Sequence, residues 1–349
     1  PMLGYDPQTG QIAASDQQGQ WVPSTPVLFI EQDGYYGYPY DDADRQRDIV
    51  PPLTWIPHQI CGSSMSIVWG RDATIGPLND QPILVSYNPA KLILIHTDVD
   101  ESTAQGGATP LELPLAHAPL LKAAINPADG LLYVTGFKIW GTAATSPTFL
   151  GRVRTNSTET WTLPIAVRVL RRGILLNFTE PVDRSTAKNA GLYSVRRWNY
   201  KRTAEYGSAH YRLDGSTGSE SLPVASVELS NDGRSVFLAI PDMREVMQLE
   251  VTYKILAEDG TPIEHQTFLT AHVLRSLDLT DHGFPSDEVD LTSKQMPFAT
   301  TSAAQPTVER GMQFYTQVGC VACHSIDGST EGKNGPSWLG LYGSQRKLT

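Results

Sequence analysis

The run IAVRVLRRGILLNFTEPV, Ile165 to Val182, is crowded with Val, Ile and Leu and leads into an acidic-proline turn, Glu180-Pro181-Val182-Asp183. Aliphatic and β-branched residues bounded by Gly, Pro, Asn or Asp read as strand, because such side chains suit a pleated surface and the bounding residues supply the turns. The signature recurs outward in both directions. PILVSYN, KLILIHTDV and GLLYVTGF precede the run; VASVELS, RSVFLAIP and QLEVTYKILA follow it. No long amphipathic helix is read before residue 300. The chain is therefore expected to be mainly β, with a small all-α domain at its end.

Composition agrees. The 349 residues predict two or three domains. Charged residues make up only 18% of the chain, against 29 Gly and 25 Pro, a mix that suits short strands and many turns. The formal charge is -10, with 37 acidic against 27 basic residues, which argues against nucleic acid as a partner. No stretch approaches the 18 or so uninterrupted apolar residues of a membrane-spanning helix. The opening PMLGYDPQTG has neither a charged leader nor an apolar signal core, and the expectation is a processed or fragmentary chain.

Four regions are expected. Residues 1–160 read as a partial β-propeller. NPADGLLYVTG, Asn126 to Gly136, places an Asp129-Gly130 turn before a strand, and NDQPILVSYNPAKLILIHTD gives a strand pair turning at Asn88-Pro89. At roughly 40 to 50 residues per blade this stretch holds about three blades, whereas a closed propeller needs at least about four, so a missing N-terminal part is expected. Residues 161–275 read as one β-sandwich: strand, acidic-proline turn, short helix, strand, then turns at Asp232-Gly233 and Asp259-Gly260. Residues 276–306 are polar and proline-containing and read as a linker. Residues 307–349 form the final domain.

That last region contains GMQFYTQVGCVACHSIDGS, Gly311 to Ser329, which uses two of the three cysteines. Cys-x-x-Cys-His is the attachment pattern of c-type haem. Cys320 and Cys323 would form thioethers to the two vinyl groups of one porphyrin edge, and His324 would be the proximal ligand of the haem iron. A thioredoxin-like pair would need a βαβ context, and a zinc site would need a second ligand pair. Gly311, Phe314, Tyr315 and Val318 form an apolar stripe at helical spacing. Beyond the motif, Gly335-Pro336 breaks any helix, and Trp338, Leu339, Leu341 and Tyr342 can cover a flat apolar cofactor.

The segment from about Thr307 onward resembles class I cytochrome c domains. Gly311 and Tyr315 match the family's first helix, and Cys320, Cys323 and His324 match its attachment motif. The resemblance implies that the Pro336 carbonyl accepts the proton of the His324 imidazole, fixing its tautomer. The family's sixth ligand, usually Met, has no counterpart, since neither Met nor His occurs after His324. A truncated cytochrome domain is the expectation, with His282 the first upstream candidate for the second axial position.

Trp55-Ile56-Pro57, the Ser-rich turn before Trp69, and Gly76-Pro77 resemble segments of sorbosone-dehydrogenase-like propeller proteins of planctomycete-type bacteria. Residues 161–275 resemble bacterial immunoglobulin-like domains, which commonly lie between propeller and haem in those proteins. The resemblance implies an exported, periplasmic or cell-surface electron-transfer protein with covalent haem c and a redox partner protein. It further implies that the propeller oxidises a sugar or alcohol, with PQQ as its cofactor. The alternative is a non-catalytic scaffold whose propeller and sandwich recognise a polysaccharide or protein and position the cytochrome. No catalytic residue is assigned.

Other candidates are weaker. His58 and His96 could line a propeller axis, or be satisfied or exposed structural histidines. Asp98 and Asp100 could bind a cation, or lie in a solvated turn. Tyr35, Tyr36, Tyr38 and Tyr40 could rim a pocket, or be packed loop aromatics. Asn156 and Asn177 match the N-glycosylation pattern, but Asn177 falls inside a strand. Cys61 reads as a buried thiol. Phosphate-loop, Gly-x-Ser-x-Gly and His-Glu-x-x-His motifs are absent from the sequence.

Overall fold

A computed structural model describes residues 2–100, 103–113, 118–142, 144–154, 161–292, 308, 311–312, 315, 324–329 and 337–340. The chain divides into two compact units, Pro1–Gln295 and Met296–Thr349. The first is mainly β, as expected, and every strand ladder in it is antiparallel.

Three meanders come first. β1 (Met2–Tyr5), β2 (Ile12–Ser15), β3 (Thr25–Phe29) and β4 (Thr54–Ile56) form one sheet in sequence order. β5 (Ser63–Trp69), β6 (Pro82–Asn88), β7 (Lys91–Val99) and β8 (Ala104–Pro110) form the second. β9 (Lys122–Ile125), β10 (Leu132–Phe137) and β11 (Thr148–Val153) form the third. The near-continuous apolar runs of β6 and β7 have a direct cause: both faces of the middle meander are buried. Alternate residues point to opposite faces. Leu84, Ile93 and Ile95 pack with Ala13, Val27 and Ile56 of the first meander. Ile83, Val85, Leu92 and Leu94 pack with Leu132 and Val134 of the third.

A sandwich follows. β12 (Pro164–Leu170), β13 (Gly173–Phe178), β16 (Ser226–Leu229) and β17 (Ser235–Ala239) make one layer, ordered β12-β13-β17-β16. β14 (Tyr193–Trp198), β15 (Glu220–Leu222), β18 (Val246–Leu256) and β19 (Pro262–Ala271) make the other. Ile174, Leu176, Val236 and Leu238 of the first layer share one core with Val195, Leu249, Val251 and Tyr253 of the second. Each such side chain contributes roughly 1.5–3 kcal/mol relative to exposure. The short helix after the acidic-proline turn is α1 (Arg184–Ala187). Asp183 caps it, accepting from the Ser185 hydroxyl at 2.7 Å and the Thr186 amide at 2.8 Å, and these hydrogen bonds hold its carboxyl down at about 2.

The expected division at residue 160 does not separate two sheets. β8 pairs with β19, Ala108 opposite Phe268 and Gly107 opposite Leu269, so one eight-stranded sheet runs from the middle meander into the sandwich. The β8 sequence, AQGGATP, carries no strand signal of its own. A Cβ at Gly107 would lie 2.6 Å from the Phe268 carbonyl oxygen, and one at Gly106 would collide with the His96 carbonyl. The Gly pair is what lets three strands come together here.

The expected linker is also corrected in its first half. Leu277, Leu279, Phe284, Val289 and Leu291 pack on Leu170, Leu175, Phe237 and Ala239, covering the outer face of the β12–β17 layer. Asp287 accepts from Arg172 at 2.5 Å and from the Leu279 amide at 2.9 Å. Limited proteolysis is expected to leave the bonds between Ser276 and Leu291 intact in native protein. Mass spectrometry of the earliest fragments checks this, and an early cut at Phe284 would contradict it.

Candidate functional site

The unit Met296–Thr349 contains the haem-attachment motif. Val308, Gly311, Met312 and Tyr315 are helical. Tyr315 donates its hydroxyl to the His324 carbonyl. The Trp338 indole stacks on the His324 imidazole, with centroids 4.7 Å apart and planes 25° from parallel, and Tyr315 meets Trp338 edge-on at 5.8 Å. The Trp338 amide donates to the Ser325 carbonyl at 2.7 Å, and Ser325 is buried. Two segments well separated in sequence are thus closed on each other, and His324 is half-buried with one ring face covered. Cys320, Cys323 and Pro336 lie outside the described residues.

This arrangement fits haem c. An axial imidazole needs a fixed ring plane, and here the chain's own aromatics fix it. Trp338, expected as a cofactor cover, touches the candidate ligand His324 itself.

In the β unit most of the other candidates have structural explanations, whereas His58 lines an open cleft. His96 is buried in β7, with Nε2 2.8 Å from the Thr109 hydroxyl, which in turn lies 2.9 Å from the Thr267 hydroxyl. Burial pushes His96 down to about 4, so it is a neutral packing residue at ordinary pH. Asp98 and Asp100 divide: Asp100 lies in an exposed turn, its amide donating to the Thr103 carbonyl, whereas Asp98 is buried in an ion pair. Asp98 accepts from Arg275 Nε at 2.7 Å and from the Gln105 amide at 3.1 Å, and Arg275 also pairs with Asp100. Cys61 is fully buried, and burial raises its thiol to about 12, which leaves it unreactive. Asn177 donates to Ser235 at 2.7 Å across the β13–β17 ladder, which gives it a structural role; Asn156 lies outside the described residues. The tyrosines divide. Tyr36 is tied to Phe29 and Glu31 backbone, Arg47 stacks on Tyr35 at 4.5 Å, and Tyr38 and Tyr40 are exposed. Tyr35, Tyr36 and Tyr38 line a cleft with Asp16 and Arg202, so both readings hold for different members.

Sequence reading missed two paired arginines, Arg197 buried and Arg275 partly buried. Arg275 joins Asp98 to the Thr103 carbonyl, and Arg197 is clamped by Glu220 at 2.6 Å and Asp242 at 2.7 Å. The Arg197 and Arg244 contacts hold the Asp242 carboxyl below its ordinary range. Their partners are distant in sequence, so only a fold brings them together.

No family model and no curated protein matches the chain. Among solved structures it is similar to a Thermus thermophilus protein provisionally named an oxidoreductase (glucose dehydrogenase). Identity is 18%, the match covers 38% of this chain and 38% of that one, and the TM-score is 0.28, too low to carry any inference. Among the described residues no helix is long and apolar enough to cross a membrane.

Proposed function

We propose that this is an exported c-type haem protein that carries single electrons to or from a redox partner protein. One observation supports the reading above the others: the histidine of a Cys-x-x-Cys-His motif is held in a defined orientation by Trp338 and Tyr315. Cys320 and Cys323 would hold the haem covalently, His324 would ligate its iron, and the Pro336 carbonyl would orient the imidazole. Haem c, when bound, supplies a one-electron couple. Trp338 covers one face of the His324 ring, and Tyr315 ties the His324 backbone and braces Trp338.

The finer reading treats the three stacked meanders as propeller blades and the following two layers as an immunoglobulin-like sandwich. On that reading the whole protein is a sugar or alcohol dehydrogenase. PQQ is the cofactor that the resemblance implies; the clefts formed by the described residues assign it no residue.

The test is the pyridine haemochrome spectrum of protein made with c-haem maturation machinery. Haem is expected to stay with the denatured chain and show a c-type band. Cys320→Ala or Cys323→Ala should leave one thioether and shift that band, and the double variant should release all haem. Extraction of wild-type haem into acidified organic solvent would overturn the reading. The haem spectrum before and after adding candidate sugars, with and without PQQ, separates the dehydrogenase from the scaffold.

A further inference from the structure

A cleft of about 370 Å³ opens where β5 begins and β6 ends. Gln17, His58, Ser63, Asn88, Trp140 and Tyr206 line it. Its aromatic member is unusually well fixed. Tyr87, 1% exposed, packs against the Trp140 indole with ring centroids 4.4 Å apart and planes tilted by 34°. The Tyr87 hydroxyl accepts from the Ile139 amide at 2.9 Å and the Trp140 amide at 3.1 Å, and donates to the Trp140 carbonyl at 3.1 Å. A phenol has one proton and two lone pairs, so this hydroxyl is saturated by the backbone of a single loop. A buried side chain is thereby committed to presenting an indole that remains 46% exposed. Tyr206, which lines the same cleft, is 65% exposed. At Gly62 there is no spare room: a Cβ there would lie 3.0 Å from the Asn88 carbonyl oxygen and 3.3 Å from His58 Cε1.

We infer that this cleft binds a neutral saccharide, with a pyranose face stacked on Trp140. Three features select that chemistry. The lining carries no Asp, Glu, Lys or Arg, which disfavours an ionic ligand. The Asn88 and Gln17 amides each offer donors and an acceptor, which matches hydroxyls that do both. Two aromatic faces accept the C–H face of a sugar ring, and a rigid platform loses little conformational entropy on binding. The site is independent of the haem reading, whose spectrum is unaffected by the outcome here.

Isothermal titration of the full chain with cellohexaose, maltohexaose and hexagalacturonate tests the inference. At least one neutral hexasaccharide is expected to bind saturably. Trp140→Ala should weaken that binding roughly tenfold or more, Trp140→Phe less. Tyr87→Phe, a positioning change, should weaken binding while Trp140 stays in place. Far-UV circular dichroism monitors folding. If Trp140→Ala does not fold, Asn88→Ala, which leaves the Tyr87–Trp140 pair intact, serves instead, and weaker binding is expected. No saturation by either neutral hexasaccharide at millimolar concentration would overturn the inference. So would preferential binding of hexagalacturonate, or unchanged affinity in folded Trp140→Ala or in Asn88→Ala.

Discussion

Asp98→Ala is expected to destabilise the β unit by about 3 kcal/mol, because it leaves a guanidinium without its main partner in a largely dry place. Arg275 is 15% exposed and Asp98 8%, and the pair is 2.7 Å apart. The same guanidinium donates to the Asp98 carbonyl at 3.1 Å and the Thr103 carbonyl at 3.0 Å. Arg275 also bridges β12 through its backbone at Leu170. One residue thus ties the end of β7, the turn after it and the sandwich edge. Removing only the Asp98 carboxylate leaves the guanidinium with the half-exposed Asp100 as an anionic partner in place of the buried one, whereas removing both groups leaves no buried charge to compensate. The double variant Asp98→Ala, Arg275→Met should therefore lose less stability than Asp98→Ala, measured by denaturant midpoint at neutral pH. A single-variant loss below about 1 kcal/mol, the range of an exposed pair, would show that this contact is peripheral.

The second expected result is an acid-sensitive limb belonging to His96. Its native value near 4 lies below the ordinary histidine value of 6.5 because burial disfavours the charged ring. As pH falls below 6.5 the unfolded chain takes up a proton that the native state refuses until about pH 4. Stability attributable to His96 is therefore complete above 6.5 and is lost progressively between 6.5 and 4, by about 3 kcal/mol over the window. Carboxylates and other histidines titrate nearby, so the readout is the difference from His96→Gln. That variant should show a flatter limb between about pH 6.5 and 4.5. Parallel limbs in the two proteins would show that His96 protonates in the native state without penalty.

Both effects arise at the seam where β7 and β8 meet the sandwich, the place where sequence reading drew a domain boundary. Such a seam has no local signature. Its strand β8 carries Gly106-Gly107, which lower strand propensity, and is admitted by close backbone approach. Its ion pair joins residues 177 apart in sequence.

The amino-acid sequence by itself determined the β-rich character of the first unit. Strands buried on both faces, such as β6 and β7, must be apolar throughout, and that is visible locally. It also carries the Cys-x-x-Cys-His spacing of Cys320, Cys323 and His324 on which the haem proposal rests. Tertiary structure decided the rest. It joined the middle meander to the sandwich, laid residues 277–291 over the outer layer, neutralised Asp98 with Arg275, and set Trp140 on Tyr87 across 53 residues. The physical reason is common to all four. Spacing and periodicity report which face of an element is buried, but the identity of the partner depends on which distant backbone comes close enough to exclude water.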